Sequence, residues 1–94
     1  MNRIKIALVF EDIETAKSFV AINAPNGVVK INSTNEFVYE TPILYFYWVK
    51  PFTNFKGRRV NFVYTTEDIR DTEWFNCIIR PMQIVGTVAI DPKY

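Results

Sequence analysis

An acid-free stretch from Thr41 to Thr66 carries Lys50, Lys56, Arg58 and Arg59 together with Tyr45, Phe46, Tyr47, Trp48, Phe52, Phe55, Phe62 and Tyr64, eight of the fifteen aromatic residues in the chain. Rigid rings beside unpaired cations give contact energy at low entropic cost, so proteins use them to stack on bases or to anchor a partner protein. Alternating large apolar residues are equally what a β-sheet core requires. Phe46 and Trp48 fit either role. Tyr45, Tyr47, Phe52 and Phe55 weigh toward an interface, because two phenylalanines in a basic loop are hard to bury by loop packing alone. The expected partner-binding set is therefore Tyr45, Tyr47, Phe52, Phe55, Lys56, Arg58 and Arg59.

Catalytic chemistry has few carriers here. The chain contains no histidine, which removes the commonest general base, the commonest metal ligand and any Ser-His or Cys-His nucleophile. Cys77 is the only cysteine, so no disulfide or cysteine metal cluster forms within one chain. It sits between Asn76 and Ile78 in a helical pattern, away from any group that would lower its pKa, and is expected to be a buried, inert thiol. Gly27, Gly57 and Gly86 are isolated, so there is no glycine-rich phosphate loop, and no cofactor is expected.

The frame that must position these residues is small. Ninety-four residues correspond to one domain, 1–94, with a single core. A formal charge of +1 gives no global field that would select nucleic acid. Locally, Thr41 to Thr66 has four cations and no acid, whereas Glu67, Asp68, Asp71 and Glu73 outweigh Arg70 in the next segment, which predicts a basic edge next to an acidic one. A lone cysteine suits the reducing cytoplasm. The apolar run Ile6 to Phe10 is cut short by Glu11 and Asp12, well below the length of a membrane segment, so no membrane partner is expected. Asn32-Ser33-Thr34 reads as a turn rather than a glycosylation site.

Ile4, Ile6, Leu8 and Phe10 alternate with Lys5, Ala7 and Val9, which predicts a central strand buried more deeply toward its C-terminal end. Asp12 is a good N-cap for a helix bearing Ile13, Ala16, Phe19 and Val20, running to Ile22 or Asn23. The turn Ala24-Pro25-Asn26-Gly27 also permits a hairpin between 19–23 and 28–32, and the helix is preferred. Further strands are expected at 28–32, 37–39, 43–49 and 59–64. In the last of these, Val60, Phe62 and Tyr64 share one side. A second helix capped by Asp68 or Asp71 buries Trp74, Phe75, Ile78 and Ile79 and ends at Pro81. A final strand over 83–90 carries Gly86 as a bulge candidate. The expected fold is α+β: an antiparallel-rich sheet of five or six strands with two helices on one face, in ferredoxin-like or related order.

Glu11 and Asp12 close the first strand, and Glu67 and Asp68 close a later one. If those strands are adjacent and parallel, four carboxylates share one edge, a setting that suits magnesium. The arrangement resembles the small ferredoxin-like nucleases of CRISPR adaptation and their toxin relatives, in which an aspartate ends the first strand. Here Glu11-Asp12 stands in place of the single aspartate, and helix capping by Asp12 and Asp68 accounts for the same residues. Thr65-Thr66-Glu67-Asp68 is similar to the acidic strand end of nucleotide-hydrolysing enzymes, without their phosphate cradle. Lys56-Gly57 followed by Phe62-Val63-Tyr64 resembles the signature strand of the RNA-recognition motif, although Arg58, Arg59 and Lys5 stand where that family has other residue types.

The preferred expectation is a non-enzymatic cytoplasmic module that docks onto another protein, or onto its own copy, through the aromatic-basic segment 43–64. Such small domains are typical of inhibitors and adaptors encoded by phages or mobile elements. An RNA or single-stranded nucleic-acid binder is the alternative, and a metal-dependent nuclease of ferredoxin-like fold the second alternative.

Overall fold

The computed structural model describes residues 3–55, 57 and 59–90. In chain order the elements are β1 (Ile4–Val9), α1 (Ile13–Asn23), β2 (Val28–Asn32), β3 (Phe37–Glu40), β4 (Leu44–Val49), β5 (Val60–Thr65), α2 (Glu67–Arg70) and β6 (Gln83–Ala89). A π-helical turn, Phe75–Ile79, and a 3-10 turn, Arg80–Met82, lie between α2 and β6. The strands form one six-stranded mixed sheet in the order β2-β3-β4-β1-β5-β6, an α+β fold.

β1 occupies the interior because Ala7, Leu8, Val9 and Phe10 are apolar on both faces, and all four are fully buried. It pairs in parallel with β4 on one side and with β5 on the other, and β5 pairs in parallel with β6. β2, β3 and β4 form an antiparallel meander. The expected antiparallel pairing thus holds for that half of the sheet and gives way to parallel pairing around β1. The ferredoxin-like order is not seen.

The two helical segments lie on opposite faces, which corrects the expectation of one shared face. Ile6, Leu8 and Phe10 pack with Phe46 and with Ala16, Phe19 and Val20 of α1. Ala7 and Val9 pack instead with Val49, Val63, Ile69, Phe75 and Ile79. Side chains alternate across a strand, so a β1 that is apolar at every position from Ala7 onward needs cover from both sides.

α1 forms as its sequence predicts. Asp12 Oδ1 accepts the backbone N–H and the hydroxyl of Thr15, both at 2.9 Å. The helix closes with the Ala24 N–H on the Val20 carbonyl and the Asn23 side chain on the Phe19 carbonyl. The following turn is tied to β3 by Tyr39, whose hydroxyl donates to the Ala24 carbonyl and accepts the Gly27 N–H at 2.8 Å. A Cβ at Gly27 would lie 2.3 Å from the Tyr39 ring, so this approach requires glycine. These contacts exclude the hairpin alternative.

The second helical segment departs from expectation in three ways. Thr66, not Asp68 or Asp71, is the residue before α2, and the chain restarts at Thr72, whose hydroxyl donates to the Ile69 carbonyl and accepts the Phe75 N–H. Pro81 does not end the segment: it lies inside the 3-10 turn that runs on to Met82, where a missing N–H costs no ladder bond. Cys77 is exposed rather than buried, because Phe75 and Ile79 take the inward positions and leave it outside. Val60 also differs from expectation. It packs with Val63 on the α2 face, opposite Phe62 and Tyr64. The register of β5 with β6 shifts between Val60 and Phe62, and the extra residue falls in β6 just before Gly86.

Ile79 is fully buried and Ile78 half-buried, so the two test the orientation of the π-helical turn. Ile79→Ala is expected to cost about 2–5 kcal/mol by loss of transfer energy plus a cavity, and Ile78→Ala clearly less. Urea denaturation of both variants checks this, and a larger loss at Ile78 would mean that the turn faces the other way.

Candidate functional site

The parallel register of β1 and β4 places Lys5 beside Tyr45 and Ala7 beside Tyr47, all on the sheet face away from α1. Phe46 and Trp48, the alternate residues of β4, turn inward to the α1 side. Phe46 is buried, and the Trp48 indole donates to the Phe10 carbonyl at 2.9 Å. The strand thereby commits half its aromatics to the core and leaves Tyr45 and Tyr47 half-buried on the other face.

From the loop after β4, the Phe55 ring stacks on Tyr47 at 6.2 Å between centroids, with 30° between the planes. Tyr47 in turn meets Tyr45 at 6.1 Å in a tilted pair. Gly57 admits this loop geometry, since a Cβ there would lie 2.2 Å from the Phe55 ring. Arg59, exposed just before β5, closes the far side. The result is a cleft of about 520 Å³ lined by Lys5, Tyr45, Tyr47, Phe55, Gly57, Arg59 and Val60. A second cleft of about 540 Å³ shares Lys5, Tyr45 and Arg59 and continues over Asn61 to Arg3 and Ile84 at the amino ends of the parallel strands.

Electrostatics separate the cations. Arg3 is engaged, with Nη1 3.1 Å from Glu40 Oε2 and Nε donating to the Thr41 carbonyl. The side chains of Lys5 and Arg59 have no ion-pair partner among the described residues. Asn61 holds the start of β1 in place, its Oδ1 accepting the Lys5 N–H at 2.9 Å. Burial pushes the Tyr47 hydroxyl up from 10.0 to about 12, with the neighbouring Tyr45 as the second cause.

Of the expected binding residues, Tyr45, Tyr47, Phe55 and Arg59 come together in the cleft. Lys56 and Arg58 lie outside the described residues. Phe52 is placed elsewhere: it follows Pro51 with a φ of 61°, in a turn position where glycine is usual, and its ring lies 5.4 Å from that of Trp74. The Trp74 indole also donates to the Thr53 carbonyl, so this end of the loop is fastened to the helical segment. Lys5 was not expected. Its signal was a lone cation at the start of an otherwise apolar strand, which becomes informative only once β4 is known to lie beside it.

The carboxylates take a different place. β1 and β5 are adjacent and parallel, with Val9 paired to Thr65, so Glu11, Asp12, Glu67 and Asp68 do follow strands ending at one edge of the sheet. Asp12 is occupied by its capping bonds, and among the described residues no group of three or more acidic or cysteine side chains is placed to hold a metal ion. The basic cleft lies at the amino ends of the same strands. The two charged regions therefore sit at opposite ends of the parallel strands rather than side by side, because both acidic pairs follow strand ends while Lys5 and Arg59 stand at strand starts.

Among known proteins, no family model matches this sequence, and no curated protein or solved structure matches it. No helix of the described residues is long and apolar enough to cross a membrane.

The raised Tyr47 pKa fixes the sign of an alkaline effect. The folded state favours the neutral phenol, so its contribution to stability is fully present below pH 10 and is lost as pH rises toward about 12, where the unfolded chain ionises first. Tyr47→Phe is expected to remove that part of the decline. Denaturant unfolding of both proteins across this range checks it, and parallel curves would show that Tyr47 ionises as freely when folded as when unfolded.

Proposed function

We propose that this protein is a non-enzymatic interaction module that receives an acidic, aromatic-rich segment of a partner protein in the cleft of Lys5, Tyr45, Tyr47, Phe55 and Arg59. The observation that carries this reading is the meeting, in one concave surface, of half-buried rings with two cations that have no ion-pair partner among the described residues. Arginine offers a planar fork to a carboxylate, lysine a point charge, and the tyrosines a rigid apolar wall with hydroxyls at the rim.

Protein is favoured over single-stranded nucleic acid because the rings are already in contact with one another. Tyr47 is stacked by Phe55 on one side and met by Tyr45 in a tilted pair, so a base would compete with ring contacts already made. A histidine-free sequence and a capped Asp12 give catalysis no evident carrier.

A fluorescent random copolymer of glutamate and tyrosine serves as the probe, with a labelled single-stranded oligonucleotide in parallel, each at two salt concentrations. The copolymer is expected to bind, and Tyr45→Ala and Arg59→Ala are each expected to weaken it about tenfold, roughly the worth of one charge-assisted contact. Thermal stability should change little in Arg59→Ala, since Arg59 is exposed. Tighter binding of the oligonucleotide, with a steep loss in salt, would transfer the cleft to nucleic acid.

The absence of enzymatic activity has its own test. Millimolar magnesium or manganese is expected to leave the melting temperature unchanged, since a bound ion would raise it by mass action. A metal-dependent rise that Asp12→Ala abolishes would replace the module with a metal-dependent enzyme.

A further inference from the structure

We infer that the acidic group this cleft selects is a phosphorylated tyrosine of the partner segment, its ring among Tyr45, Tyr47 and Phe55 and its phosphoryl group between Lys5 and Arg59. The inference rests on the reading of the cleft as a protein-binding site and names the residue that anchors there. Lys5, Tyr45 and Arg59 line both the aromatic cleft of about 520 Å³ and the adjoining one of about 540 Å³, so they mark the junction of the two. On one side of that junction the walls are the rings of Tyr47 and Phe55. On the other stand Arg3 and Asn61, with Ile4 and Ile84.

The polar side chains at the junction are donors. Lys5 and Arg59 can only donate, and the Tyr45 hydroxyl donates as readily as it accepts. Asn61 has its Oδ1 taken by the Lys5 N–H at 2.9 Å, and its Nδ2 has no acceptor among the described residues. No carboxylate side chain of the described residues lines either cleft. A site furnished in this way calls for a ligand rich in acceptor oxygens, and charge decides which. Arg3 is neutralised by Glu40 at 3.1 Å, whereas Lys5 and Arg59 have no ion-pair partner among the described residues, so two positive charges remain. A glutamate carboxylate answers one of them. A phosphate monoester, with a charge of about −1.5 to −2 at neutral pH and three acceptor oxygens, answers both. Phosphoserine would bring that charge on a short stem, but the aromatic cleft opens from the same three residues, and only phosphotyrosine adds a ring to fill it. A phenyl group meets such walls in the edge and tilted contacts that aromatic rings favour, which leaves the stack of Tyr47 on Phe55 in place.

The random copolymer of glutamate and tyrosine is the probe, compared before and after a tyrosine kinase has phosphorylated it. At about pH 7.5 phosphorylation is expected to tighten binding about tenfold or more, roughly the worth of one added charge-assisted hydrogen bond, and the gain is expected to shrink by about pH 5, below the second phosphate pKa of about 6. Lys5→Ala and Asn61→Asp are each expected to remove the gain while circular dichroism and melting temperature stay near those of the parent. Asn61→Asp keeps the acceptor for the Lys5 N–H and puts a negative charge where the free donor was. Phenyl phosphate is expected to displace the phosphorylated copolymer at about tenfold lower concentration than inorganic phosphate or phosphoserine. Equal binding of the two copolymers overturns the inference and leaves the protein-binding reading standing, whereas binding of neither overturns both. A gain retained in both variants, or equal potency of phenyl phosphate and inorganic phosphate, also overturns it. So does displacement by a 5′-phosphorylated oligonucleotide at lower concentration than by phenyl phosphate, which would give the anion site to nucleic acid.

Discussion

Two side chains hold the carboxyl end of β1 between its parallel neighbours. Thr65, fully buried on β5, donates its hydroxyl to the Val9 carbonyl at 2.7 Å, and Trp48 on β4 donates its indole N–H to the Phe10 carbonyl at 2.9 Å. These bonds satisfy backbone acceptors where the strand leaves the sheet. An unpaired carbonyl buried there would cost about 1–3 kcal/mol. With β1 fixed on both sides, its alternating side chains define two cores, one under α1 and one under the π-helical turn.

That central placement also decides where charge goes. β1, β4, β5 and β6 run in one direction, so every residue that begins such a strand gathers at one end of the sheet and every residue that follows one gathers at the other. Lys5 and Arg59 belong to the first group, and Glu11, Asp12, Glu67 and Asp68 to the second. An antiparallel sheet would have mixed them. The separation leaves the two cleft cations without an ion-pair partner among the described residues, which is the electrostatic condition for recognising an acidic ligand.

Much of the fold was legible where local chemistry sufficed. Asp12 with Thr15 specifies a helix start, and the continuous apolar run Ala7 to Phe10 specifies a strand buried on both faces. What the residues do not encode locally is partnership. Period two places Tyr45 and Tyr47 opposite Phe46 and Trp48 but says nothing of which face a helix will cover. The site was accordingly half legible: Tyr45, Tyr47, Phe55 and Arg59 were expected, while Lys5 arrives from forty residues away in sequence by register alone. Phe52 was misplaced because composition marks a basic aromatic loop as one unit. The fold splits it, sending Phe52 toward Trp74 and Phe55 toward Tyr47. Cys77 was misassigned for a related reason, since a π-helical turn breaks the regular period on which facing is judged.

The cleft and the core are coupled through β4, because consecutive residues of that strand serve one and then the other. A slip of one residue against β1 would move Phe46 and Trp48 to the cleft and bring Tyr45 and Tyr47 under α1. Both ends of the pairing resist it: the Ile4 N–H bonds the Ile43 carbonyl at 2.9 Å at the start, and the Trp48 indole bonds the Phe10 carbonyl at the finish. Thr41 closes the preceding turn, its hydroxyl accepting the Leu44 N–H, so β3 cannot feed extra residues into the strand. Phe46 reinforces the register by meeting Phe19 edge-on and Tyr39 in a tilted ring contact. The orientation of the two cleft tyrosines is thus fixed by interactions made on the opposite face. A surface preorganised in this way loses little rotational freedom when it takes up a ligand.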